Sequence, residues 1–77
     1  MDNKTLGLEW NKLGNGDNVY VASNGKLVFL AFDPTKDLGP SSSGKTNIIG
    51  STGGNAMLSG IQGLQGIQVG LNVFKKK

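Results

Sequence analysis

At 77 residues and 8.0 kDa, with a formal charge of +3, the chain has room for one small domain whose core is marginal on its own. Cys and His are absent and every basic residue is lysine, which excludes disulfides, thiol or imidazole metal sites, Ser–His and Cys–His catalysis, and guanidinium forks. The longest apolar run, Leu27–Phe32, falls far short of the roughly 20 residues a membrane-spanning helix needs, and no basic-then-apolar leader opens the chain, so a soluble cytoplasmic protein is expected.

The first predicted element is Thr5–Trp10, where alternation puts Leu6, Leu8 and Trp10 on one side of a half-buried strand. Gly14-Asn15-Gly16-Asp17 then breaks the chain. Asn18–Ser23 and Lys26–Asp33 flank Asn24-Gly25, the residue pair that best tolerates positive φ at both centres of a type I′ bend. A two-residue turn there sets Ser23 opposite Lys26, Val21 opposite Val28, Val19 opposite Leu30 and Tyr20 opposite Phe29. Ala22, Leu27 and Ala31 join Tyr20 and Phe29, so both hairpin faces are apolar. A single small chain readily covers one such face; covering the second calls for the Gly-rich segment, another subunit or a ligand.

Asp33–Gly39 reads as one helical turn, with Asp33 as cap, Pro34 at the first helical position and Gly39 at the exit. A loop at Pro40–Gly44 leads to a strand at Lys45–Ser51, and Thr52-Gly53-Gly54-Asn55 forms the next turn. From Gly60 to Gln68 a Gly-x-Gln triplet repeats, too briefly and with too little proline for collagen. Within 55–65 a short helix capped by Asn55, with Met57, Leu58, Ile61 and Leu64 on one face, competes with a packed loop. Gly60 and Gly63 each cost that helix about 1 kcal/mol relative to Ala. Ile67–Phe74 alternates as the last strand, with Gly70 marking a bulge or a close backbone approach. The expected fold is all-β, about five strands in a meander forming a small barrel-like sheet, with one domain at 1–74 and a basic tail at 75–77.

Residues 1–74 hold as many lysines as acidic residues, so Lys75, Lys76 and Lys77 supply the whole net charge. Gly39-Pro40-Ser41-Ser42-Ser43-Gly44-Lys45-Thr46 matches G-x-x-x-x-G-K-[ST] and resembles, over these eight residues, the Walker A loop of P-loop nucleotidases. That resemblance implies Lys45 as a phosphate ligand and Thr46 as a magnesium ligand. In that family a helix follows the loop, whereas Asn47–Thr52 is strand-like and no second motif ending in Asp follows. A weaker role stands beside it: amides near Ser42, Ser43 and Gly44 forming an anion nest, with Lys45 as a point charge, against an ordinary flexible serine-glycine loop.

No nucleophile–base pair, carboxylate pair or metal set emerges, so neither catalysis nor a cofactor is expected. Two functions remain. The first is a nucleic-acid-binding module preferring single strands: Lys26, Lys45, Lys75, Lys76 and Lys77 meet phosphates, Ser42, Ser43 and Thr46 donate hydrogen bonds, and Tyr20, Phe29 or Trp10 stack bases. Without Arg, base-specific readout of a duplex is not expected. The second is a homo-oligomeric assembly or protein-interaction protein whose apolar hairpin face, with Tyr20 and Phe29, and Gly-rich carboxy-terminal segment make subunit contacts.

Overall fold

A computed structural model describes residues 4–58 and 64–77. Its elements are almost all short antiparallel strands: β1 (Asn11–Lys12), β2 (Tyr20–Ser23), β3 (Val28–Ala31), β4 (Thr46–Ser51), β5 (Ala56–Met57), β6 (Gln68–Val69) and β7 (Asn72–Lys76). The all-β class agrees with the alternating pattern, but among the described residues seven strands replace about five and no barrel closes. Instead β1–β2–β3 form one sheet, and β4–β7 and β5–β6 form two ladders. Among the described residues no helix is long and apolar enough to cross a membrane.

The segment read as the first strand curls instead. Thr5–Gly7 is a single 3-10 turn with positive φ at Leu6 (60°) and Gly7 (71°). Trp10 Nε1 donates to the Thr5 carbonyl at 2.8 Å, which draws the indole back over this turn. Leu6 is left 83% exposed while Trp10 is buried. Pairing starts only at Asn11↔Val21, and one step further back along that register Trp10 stands opposite Ala22.

The β2–β3 hairpin forms where the pattern puts it, in a different register. Tyr20 pairs with Ala31, Val21 with Leu30, Ala22 with Phe29 and Ser23 with Val28. Asn24 closes the bend rather than forming its centre: its Oδ1 accepts from the amides of Lys26 (2.9 Å) and Leu27 (2.8 Å), while Ser23 Oγ accepts from Gly25 N. The centre therefore moves to Gly25-Lys26, and only Gly25 takes positive φ (93°), as in a type II′ bend. The shift is two residues along β3, so each side chain keeps its face; a shift of one would have exchanged the faces. Tyr20 and Phe29 are consequently diagonal neighbours, not a facing pair.

Residues 46–58 and 67–76 make one long ribbon with two irregularities. Ile48 pairs with Phe74 but Gly50 with Val73, so Ile49 is an extra residue in a β-bulge. This puts Ile49 and Gly50 into the interior consecutively instead of alternately. Between Ser51↔Asn72 and Ala56↔Val69 one strand then carries two residues more than the other, and Gly53 and Gly54 absorb them with positive φ. The single strand expected at Ile67–Phe74 is therefore divided at Gly70-Leu71 into β6 and β7. The helix considered at 55–65 does not begin at Asn55: Ala56 and Met57 are strand, Leu58 N donates to the Ile67 carbonyl, and Asn55 Oδ1 lies where a Cβ on residue 70 would fall. Residues 59–63 lie outside the described segments, as does that part of the Gly-x-Gln repeat.

Asp33 acts as a cap without a helix. Its Oδ1 accepts from Thr35 N (2.9 Å) and Thr35 Oγ1 (2.6 Å), closing one turn at Asp33–Lys36. Beyond it the chain runs along β4, with Leu38 N donating to the Ile48 carbonyl and Ile48 N to the Gly39 carbonyl.

Leu13, Val19 and Val21 from the sheet pack with Ala56 and Leu58 from the far half of the ribbon, and Leu64, Val69 and Leu71 surround them. The two layers are joined at Asn18, which is 1% exposed and has φ of 60°. Its Nδ2 donates to the carbonyls of Asp33 (2.8 Å) and Ile49 (2.7 Å), and its Oδ1 accepts from Asp33 N (3.1 Å). Beside it, Gly16 lies so close to the ribbon that a Cβ there would collide with the Ser51 carbonyl oxygen.

Asn18→Ala strands three buried backbone groups at about 1 kcal/mol or more each and places Ala in a conformation it disfavours, so chemical denaturation should show a loss of about 3 kcal/mol or more. Asn18→Gly, which retains the backbone conformation, should lose less than Asn18→Ala. The hydrogen bonds from the Thr35 hydroxyl and amide hold the Asp33 carboxyl below its ordinary value of 3.8. Its contribution to stability is thus complete above that pH and disappears as the pH falls through the lower folded value. Denaturation across an acid series should show this loss in the wild type, and less of it in Asp33→Asn.

Candidate functional site

The strongest concentration of charge arises from strand pairing. β7 extends through Lys76, so Lys75 and Lys76 are strand residues rather than a free tail. Thr46 pairs with Lys76 and Asn47 with Lys75. The same register, continued one step, faces Lys45 toward Lys77. Four exposed lysines, 45, 75, 76 and 77, therefore meet at one end of the ribbon, and among the described residues none of them forms an ion pair. Paired Cα atoms in such a ladder lie about 5 Å apart, so the like charges favour an external anion. The nearby Asp37 is occupied: its Oδ1 accepts from Gly39 N and its Oδ2 from Asn47 Nδ2 at 3.0 Å.

The serine loop closes this end as a turn leading straight into β4. Ser41 N donates to the Thr46 carbonyl and Gly44 N to the Ser41 carbonyl. Ser41 Oγ bonds the hydroxyls of Thr46 (2.8 Å) and Ser43 (3.2 Å), and Ser43 Oγ accepts from Lys45 N. The amides of Gly44 and Lys45 are thus used internally, so the anion nest weighed from the sequence is reduced to Ser42 and Ser43. A strand rather than a helix follows Thr46, so no helix terminus points at this loop and the resemblance to a Walker A loop ends at the eight residues.

Aromatic surface adjoins the lysines, from residues the sequence reading did not select. Phe74 and Lys76 share one face of β7, and Phe74 is 53% exposed. Phe32, Pro34, Ile49, Val73, Phe74 and Lys75 line an open groove of about 340 Å³. The signal for Phe74 was its position directly before the lysines. For Phe32 there was no local signal, because the Asn18–Asp33–Ile49 bonds bring the end of the hairpin to the ribbon.

Of the residues expected from sequence, Ser42, Ser43, Lys45, Thr46, Lys75, Lys76 and Lys77 converge. Trp10, Tyr20, Phe29 and Lys26 do not join them. Trp10 is buried with its N–H bonded to Thr5, which removes it as a stacking surface. Tyr20 and Phe29 are half-buried on the outer face of the three-stranded sheet. Lys26 lies at the hairpin tip: β2 runs from Asn18 alongside the β5 half of the ribbon, while the lysine end lies in the other direction from Ile49.

Among the described residues no three acidic, His or Cys side chains gather to hold a metal ion. The chain matches no protein-family model, no curated protein and no solved structure.

The Ser41–Thr46 hydroxyl bond is part-buried and joins the two sides of the loop. Ser41→Ala should cost about 1 kcal/mol in thermal or chemical unfolding. Ser42→Ala, whose side chain is exposed, should change stability by less than half of that.

Proposed function

We propose that this protein is a non-enzymatic module that binds single-stranded nucleic acid, with phosphates at the lysine end and bases against the neighbouring groove. The observation that carries this reading is the pairing of β4 with β7, which gathers Lys45, Lys75, Lys76 and Lys77 next to the exposed ring of Phe74. Lysines neutralise backbone phosphates without regard to sequence, and an exposed aromatic ring accepts any base by stacking. Phe74, with Phe32 across the groove, takes the stacking role that the sequence suggested for Tyr20, Phe29 and Trp10. A splayed strand can present both a phosphate and an unstacked base to so small a surface, whereas the bases of a duplex are already stacked. The absence of Arg agrees with binding that does not discriminate between bases.

Titration of a labelled oligothymidylate over a salt series tests the proposal. Affinity should fall linearly with the logarithm of salt, with a slope of about 0.7 per phosphate contacted. The double substitution Lys75→Gln/Lys76→Gln should flatten that slope by about 1.4. Phe74→Ala should leave the slope unchanged and weaken binding by about 1–3 kcal/mol. An equal length of duplex should bind more weakly than the single strand. Absence of binding at low salt, or a slope indifferent to the lysine substitutions, overturns the proposal.

A further inference from the structure

We infer that two copies of this chain associate through the outer edge of β3, joining their three-stranded sheets into one continuous six-stranded sheet. The overall dimensions give the first reason. The molecule measures 38 × 26 × 16 Å, and its radius of gyration of 13.1 Å exceeds the roughly 11.5 Å of a compact domain of this length. Its accessible surface is 5216 Å², against about 4,450 Å² for a compact monomer of 8.0 kDa. The excess of about 760 Å² is close to the ~800 Å² that each partner buries in a standard stable interface.

The second reason is the chemistry of the open edges. Natural sheets protect such edges with charge, proline or shortness. β1 is two residues long and carries Lys12, and β7 carries Lys75 and Lys76. β3 has none of these devices: Val28–Ala31 and the following Phe32 contain neither charge nor proline, and among the described residues its outer edge has no backbone partner. Val28 and Leu30, on one face of that edge, are 38% and 40% exposed.

The third reason selects a second copy as the occupant. A two-fold axis perpendicular to the sheet makes neighbouring strands antiparallel and keeps equivalent side chains on the same face. Centred on Leu30, it sets Leu30 against the partner's Leu30 and Val28 against the partner's Phe32. The charges flanking the strand are Lys26 at one end and Asp33 at the other. In that register Lys26 falls opposite the partner's Pro34, so no like charges meet along the pair and the edge complements itself in apolar surface. The partner's Val28 then lengthens the wall of the groove at Phe32, and the two lysine ends point to opposite poles. The association rests on β3 alone and does not depend on nucleic-acid binding.

Sedimentation equilibrium over a range of concentrations should show a reversible dimer for the wild type. Leu30→Lys and Leu30→Glu, each opposing its own charge across the axis, should weaken association by about tenfold or more, and an equimolar mixture of the two should restore it. Circular dichroism identifies any variant that fails to fold. A second variant works even then: the chain has no cysteine, so Leu30→Cys supplies the only thiol. Under mild oxidation it should crosslink into dimers much faster than Leu6→Cys, whose site is more exposed but lies away from the edge. A wild type that remains monomeric to millimolar concentration overturns the inference. So does crosslinking of Leu30→Cys no faster than Leu6→Cys, or a mixture of charged variants that fails to restore the dimer.

Discussion

The structure depends on one buried side chain. Asn18 donates its amide protons to the carbonyls of Asp33 and Ile49 and accepts from Asp33 N at its side-chain oxygen, so the start of β2, the end of β3 and the bulge in β4 meet at one point. Each bond is modest alone, about 1 kcal/mol net, but an unmet buried donor or acceptor costs more than a met one contributes. The arrangement is therefore close to all-or-none. It also explains why asparagine occupies a position with φ of 60°: among residues with a side chain, Asn and Asp tolerate that conformation best, and only Asn brings donors.

That junction positions the groove beside the lysine end. Holding Asp33 at Ile49 carries Phe32 and Pro34 to the ribbon, where they form the groove with Val73 and Phe74. The bulge at Ile49 turns two successive residues inward and changes the alternation between the buried interior and the exposed end of the ribbon. Beyond it the ladder gathers its lysines at one end, with Lys76 opposite Thr46 and Lys75 opposite Asn47, and Asp37 is already occupied by Asn47 and Gly39. A charge cluster of this kind costs the fold little because it lies at an exposed end, where water and salt screen it. The apolar interior lies on the opposite side of the junction.

Several features were legible because they depend on near neighbours. Gly25 with a polar residue before it marks a bend, and the faces of the hairpin survived an error in register because the error was an even number of residues. Asp33-Pro34-Thr35 announced a capped turn for the reason found, a carboxylate accepting from residues two further on. The misreadings came where a distant group prevailed. Leu6, Leu8 and Trp10 alternate like a strand, yet the indole N–H reaches back to Thr5 and curls the segment. Ile67–Phe74 alternates throughout, yet its two halves pair with different strands because Gly53 and Gly54 lengthen only the opposite side.

By itself the sequence determined the class of this protein: short strands, glycine turns, no thiol or imidazole chemistry, and a basic segment at Lys75–Lys77. These follow from period, composition and the conformational range of single residues, all of which act over a few bonds. Tertiary structure alone decided that Lys45 is brought to the same end as those lysines, that Phe74 and Phe32 border them, and that β3 is left as an unguarded edge. Those outcomes depend on which strand lies beside which. Pairing partners are chosen by the whole set of buried contacts and satisfied backbone groups, a quantity no local stretch of the chain contains.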